Sequence, residues 1–131
     1  MLIFPILITL LTLIGLELKH FLCDFVYQTK YMLRKNTAKD WYLPLAAHAG
    51  VHAGATAAVV AIPAVLLDNY WLIPLLAIGD GVLHCVIDGI KARCFQCNVF
   101  HHRYWVILGL DQLLHSLTYI IIATLLGALA T

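Results

Sequence analysis

Four apolar stretches, residues 2–27, 43–67, 71–90 and 104–129, take up most of this 131-residue chain. Each reaches the roughly 20 residues that a helix needs to cross about 30 Å of hydrocarbon. Strands are excluded, because open sheet edges stay unsatisfied in lipid and four strands cannot close a barrel. Composition points the same way: 63% of the residues are hydrophobic and 11% charged, against about 25% charged in ordinary soluble domains. A water-soluble fold of this size would lack polar surface to cover itself. The expected architecture is all-α, a four-transmembrane-helix bundle forming one integral membrane domain over residues 1–131. The first stretch carries no basic segment ahead of it and runs past the about 7–15 apolar residues of a signal peptide. It reads as a retained span.

The ends of the spans carry aromatic residues suited to headgroup depth: Tyr27 and Tyr31, Trp41 and Tyr42, Tyr70 and Trp71, Tyr104 and Trp105. Pro44 and Pro74 fall in first helical turns, where a missing N–H does no harm. Asp68-Asn69 makes a tight turn, and either residue could cap the third helix. Lys30, Arg34, Lys35 and Lys39 crowd the loop 28–42, and Lys91, Arg93 and Arg103 the loop 91–103. By the positive-inside rule both loops are cytoplasmic and both termini lie outside. The net charge of +1 gives no reason to expect nucleic acid as a partner.

Each span holds one pair of potential ligands four residues apart: His20 and Asp24, His48 and His52, His84 and Asp88, Asp111 and His115. Residues at i and i+4 share a helix face, so each pair points one way. In the derived topology all four pairs sit toward the cytoplasmic ends of their helices. At about 1.5 Å per residue they share a slab roughly 5–17 Å below the interface. The charge argument used none of these residues, yet it places them at one level.

An ionisable group in hydrocarbon costs at least ~2.5–3.5 kcal/mol for Asp on insertion scales, so its default reading is functional. Lys19 is the only Lys or Arg between the ends of the spans, which leaves ion pairing as a poor substitute for a cation. Divalent metal answers the need, since it takes carboxylates and neutral imidazoles alike. Five His and three Asp are twice what one four-coordinate zinc ion requires. The expectation is one or two ions, with two favoured. Zinc suits the N/O set best, and manganese, iron or nickel also fit. Any of Asp24, Asp88 or Asp111 could serve as catalytic base instead of ligand. Glu17, Gln28, Asp80 and Gln112 have the helical phase to support the ligands from behind. Lys91 either meets an anionic substrate at the cytoplasmic mouth or snorkels to the interface.

The two halves of the chain look related. His20-x3-Asp24 recurs 64 residues later as His84-x3-Asp88, and His48-x3-His52 recurs 63 later as Asp111-x3-His115. This is the pattern of a parallel repeat about the membrane normal, with a ligand set from each half. Ala46, Gly50, Gly54 and Ala58 form a small-residue stripe that would let a neighbouring backbone approach the second span. Cys23 and Cys85 lie in spans as small buried residues. Cys94-x-x-Cys97 followed by His101-His102 has zinc-ligand types at compressed spacing, and an unpaired loop cluster is the preferred reading.

The string His20-Phe-Leu-Cys-Asp24-Phe-Val-Tyr-Gln28, with Lys30, Asp88-x2-Lys91 and Asp111-Gln112-x2-His115, resembles the small bacterial and phage integral-membrane family catalogued as domain of unknown function 3307. The resemblance covers most of the chain and implies a place in the bacterial inner membrane. More distantly, the pattern is similar to inner-membrane proteins predicted to be metal-dependent hydrolases. The leading functional expectation is a di-metal hydrolase acting on a lipid-linked or phosphoester substrate at the cytoplasmic leaflet. Its rivals are a divalent-metal transporter or sensor, a di-iron lipid oxidase, and a non-catalytic bundle stapled by metal. Homo-oligomerisation suits so small a bundle.

Overall fold

The computed structural model describes residues 2–37, 39–95 and 98–131. Four long helices dominate: Ile3–Phe21, extended by a π-helical turn at Leu22–Val26; Tyr42–Leu66; Leu72–Cys94; and His102–Leu129. All four are long and apolar enough to cross a membrane. Their outward faces carry large apolar side chains such as Leu11, Ile62, Leu75, Ile78 and Leu125, while charged and polar groups are buried inside. That inversion is what lipid demands of a surface. The chain is a membrane protein.

Local sequence accounts for the helix ends. Pro44 and Pro74 each stand third in their helices, in the first turn where no N–H is missed. The second and third helices reverse direction over Leu67–Trp71, with Asp68 at φ 49° in the left-handed region. The expected cap is absent, because Trp71 precedes the third helix and no side chain caps it. Asp68 turns the chain instead. The third helix runs on to Cys94, four residues beyond the apolar stretch that ends at Ile90, and so carries Lys91 and Arg93 in its last turn, where cations complement the helix dipole.

Each long helix packs against its neighbours in chain order, and the first also packs against the fourth. The first therefore lies opposite the third, and the second opposite the fourth, as a twofold relation between the halves requires. Both basic connections lie at one end. There Arg93, closing the third helix, stacks on Trp41 at 5.3 Å. The connection after the first span is structured. Thr29 Oγ1 accepts a bond from Met32 N at 3.3 Å and starts a one-turn helix, Lys30–Leu33, which a 3₁₀ turn at Arg34–Asn36 continues. These turns lean on the second and third long helices and bury Lys35.

The far end of the bundle is apolar, its core made by Ile8, Leu16, Val60, Tyr119, Ile122 and Leu126. A side chain at Gly127 would collide with Thr9 there. The small-residue stripe faces the other way from expectation. Ala46, Gly50, Gly54 and Ala58 are exposed, and a Cβ on Gly50 or Gly54 would meet nothing within 4 Å. Close approach falls instead on the inward face, where a Cβ on Gly81 would lie 2.9 Å from Ala53 Cβ and 3.5 Å from the Ala49 carbonyl. The His48/His52 face needs small neighbours, and Ala49 and Ala53 supply them.

Candidate metal centre

The eight predicted ligands come together. His48, His52 and His84 are completely buried, and His20, Asp88, Asp111 and His115 nearly so. Asp24, presented by the π-helical turn, is partly buried. They form three groups that could each hold an ion, with the ligand atoms of each group within 4.8 Å of one another.

In the first group Asp24 Oδ1 lies 3.0 Å from His52 Nε2, 3.1 Å from His48 Nε2 and 3.8 Å from His84 Nε2. His48 Nε2 and His84 Nε2 are themselves 3.1 Å apart. Three imidazole nitrogens facing one carboxylate oxygen match the number and type of donors of a four-coordinate zinc site. The second group is Asp88, Asp111 and His115. Asp111 Oδ1 and His115 Nε2 make no hydrogen bond and stand 3.7 Å apart. Asp88 Oδ1 also makes none, although Lys91 Nζ is 3.2 Å away. Unbonded buried polar atoms cost about 1–3 kcal/mol each, and a cation among these three would satisfy all of them. The third group, His20, His84 and His115, bridges the other two.

The two main groups correspond under the sequence offsets of 64 and 63 residues. Asp24, His48 and His52 belong to the first half, and Asp88, Asp111 and His115 are their equivalents in the second. His84, from the second half, completes the first group. Its equivalent, His20, lies 4.8 Å from His115 by ring centroids, the rings tilted by 41°, and joins His84 and His115 in the third group.

Of the supporting residues, Gln28 lies 3.3 Å from His48 Nε2. Gln112 lies 3.1 Å from His20 Nε2 and donates to Asp111 Oδ2 at 3.1 Å. Asp80 does not hold His84. It accepts from Lys19 Nζ at 2.7 Å and from Thr56 Oγ1 at 2.6 Å. Glu17 is half-buried and has no hydrogen-bond or ion-pair partner among the described residues. Helical phase gave each of these two a side of its helix, but what lies on that side is set by the other helices.

Ion pairing enters the cluster more than the sequence suggested. Lys91 meets Asp111 Oδ2 at 2.6 Å as well as Asp88, so it turns inward instead of snorkelling outward. Lys35, expected in a cytoplasmic loop, is folded back onto Asp88. Lys19 pairs with Asp80 and sits 4.6 Å from the centre of the Tyr119 ring. Two ligand carboxylates therefore already have ammonium partners. Tyr119 was not foreseen, yet its hydroxyl lies 2.9 Å from His20 Nδ1. Its position four residues after His115, as Thr56 follows His52, was the available signal. Cys94, His101 and His102 are exposed and enter none of the ligand groups found among the described residues. Cys97 lies outside the described residues.

The centre borders a cavity of about 570 Å³. Asp24, Asp88, Lys35, Lys91, Gln28 and Gln112 are among the polar residues that line it.

Residues 7–131 match the family described as Protein of unknown function (DUF3307). The chain belongs to this family. No curated protein and no solved structure matches it. Five of the clustered candidate ligands, His20, Asp24, Asp88, Asp111 and His115, belong to the motifs that carry the family resemblance, as do Gln28, Lys91 and Gln112. Lys35 and Tyr119 stand outside those motifs.

Proposed function

We propose that this protein is a membrane-embedded di-metal hydrolase, acting on an ester or phosphoester presented at the cytoplasmic leaflet. The observation that carries the reading is the pair of repeat-related donor sets, one from each half, with Asp111 Oδ1 and His115 Nε2 left without partners in a buried site. The adjoining cavity gives a substrate access.

In this reading Asp24, His48, His52 and His84 would hold one divalent ion, and Asp88, Asp111 and His115, with His20 beside them, the other, zinc being the ion the donors suit best. Such ions supply an activated water and charge stabilisation for the oxygens of the reacting group. The residues do the rest. The water oxygen bonds to the phosphorus or acyl carbon as the bond to the alcohol oxygen breaks. One of the cavity-lining carboxylates, Asp24 or Asp88, acting as base instead of ligand, would take the water's proton and return it to the departing alcohol. Tyr119 would fix His20 from behind at Nδ1, whereas Gln28 and Gln112 meet His48 and His20 at Nε2, the atoms an ion would take, and would give way to it.

Transport has less support, because the bundle centre beyond the ligands is filled by Leu16, Val60, Ile122 and Leu126. A non-catalytic reading has one observation in its favour, namely the three lysine–aspartate pairs inside the bundle, which could hold it together without metal. Elemental analysis of purified protein, joined to assays on lipid and phosphoester substrates, separates the readings. Two zinc or manganese ions per chain, with hydrolysis lost in Asp24→Asn, is the expected result. Metal-free protein, or hydrolysis unchanged in the variant, refutes it.

A further inference from the structure

From the cavity beside the metal centre we infer the substrate class: a lipid whose head is a phosphate carrying at least two negative charges. The inference rests on the di-metal reading and goes beyond it in naming what the site receives.

Charge balance calls for such a head. Asp24, Asp88 and Asp111 bring three negative charges, and Lys35 and Lys91 bring two positive ones. Without metal the set is close to balanced. Two divalent ions would leave it about three charges positive, or two with a hydroxide bound. Uncompensated charge at this depth is expensive, and a neutral ester or a carboxylate would leave most of it standing. A phosphate monoester or a diphosphate would cancel it.

The lysines are placed to receive it. Lys35 and Lys91 both line the cavity, and both spend their ammonium groups on Asp88 and Asp111. When divalent ions take those carboxylates, the two ammoniums become free to meet an anion from the cavity side. Lysine serves phosphate well as a point charge. Lys91 comes from the end of a long helix and Lys35 from the short turn folded over the site, so the two approach from different elements.

The rest of the lining is suited to a lipid chain. Besides its charged and amide residues, the cavity is lined by Phe25, Leu33, Phe95, Tyr104, Ile107 and Leu108. A soluble phosphate would leave this apolar lining against water, whereas a lipid chain would cover it at roughly 25 cal/mol per Å² buried. Charged and large apolar residues lining a single cavity suit an amphiphile.

The test uses the whole protein in detergent, loaded with zinc and with zinc counted in every sample. Binding is measured for the phosphonate analogue of phosphatidic acid, for diacylglycerol and for glycerol 3-phosphate. The phosphonate lipid should bind at least about tenfold more tightly than either of the others. Lys35→Gln and Lys91→Gln should each weaken it by about tenfold, the loss of one hydrogen bond to a charged group, while zinc content holds. Leu108→Ser should weaken the lipid and leave glycerol 3-phosphate unchanged. Diacylglycerol binding as tightly as the phosphonate lipid, or both lysine variants binding like the parent, overturns the inference while the metal reading stands. Glycerol 3-phosphate binding as tightly as the lipid overturns the lipid assignment and makes the source a soluble phosphate. Zinc and the lipid held with no turnover of phosphatidic acid itself would overturn the hydrolase and keep the inference. Protein without zinc overturns both.

Discussion

Replacing Lys19 with methionine isolates the energetics of a charge pair sealed inside the bundle. Lys19 and Asp80 meet at 2.7 Å with side chains 5% and 1% exposed, so neither group has water to fall back on. Removing one partner of such a pair costs about 3–5 kcal/mol. Lys19→Met belongs at the upper end of that range, because Asp80 keeps only the Thr56 hydroxyl at 2.6 Å. Asp80→Leu belongs lower, since Lys19 retains the Tyr119 ring at 4.6 Å and His52 Nδ1 at 3.4 Å, and a desolvated cation–π contact is worth about 2 kcal/mol. The double variant removes both desolvation penalties along with the attraction and should fall within about 1 kcal/mol of the parent. The assay is reversible unfolding in mixed detergent and SDS, followed by circular dichroism for all four members of the cycle. The expected coupling is about 3 kcal/mol or more. Simple addition of the two single costs, with coupling below ~0.5 kcal/mol, would refute the pair as the source of stability.

Three further outcomes follow from the site and its packing. Asp24→Ala and Asp111→Ala should each lower bound metal by about one ion per chain, and the double variant should hold none, as read by elemental analysis. Tyr119→Phe removes the hydroxyl from His20 Nδ1 and should weaken metal binding by roughly 10–100-fold with the helix content unchanged, measured by chelator competition and circular dichroism. Gly81→Ala presses on Ala53 and should cost about 1–3 kcal/mol in the same unfolding assay, whereas Gly54→Ala, with open space around it, should be neutral or stabilising by up to about 1 kcal/mol.

The spans and the convergence of the His and Asp pairs were legible because both rest on periodicity. An apolar run long enough to cross lipid has few alternatives, and His or Asp at i and i+4 must share a helix face. The loop charges indicated which ends lie together without reference to the ligands, and His20 from the first helix meets His115 from the fourth as that level required. What stayed hidden depends on how separate elements dock. Lys35 reads as a loop charge because nothing in a run of basic residues says that the chain folds back over the helix ends. Asp80 has the spacing to support His84, yet Lys19 on the opposite helix takes it. The stripe at Ala46, Gly50, Gly54 and Ala58 shows that a helix has a narrow face but leaves open which way that face turns.

The π-helical turn at Leu22–Val26 has its own consequence. Tyr27 N–H reaches back five residues to the Leu22 carbonyl at 2.8 Å, so the backbone that presents Asp24 is wider than the regular helix that presents Asp88. Two carboxylates that look interchangeable on paper are thus offered by unlike scaffolds, one partly open and one sealed. Cations arriving there would find unequal seats and fill them in sequence, so a titration should resolve two affinities where a perfect duplicate would give one.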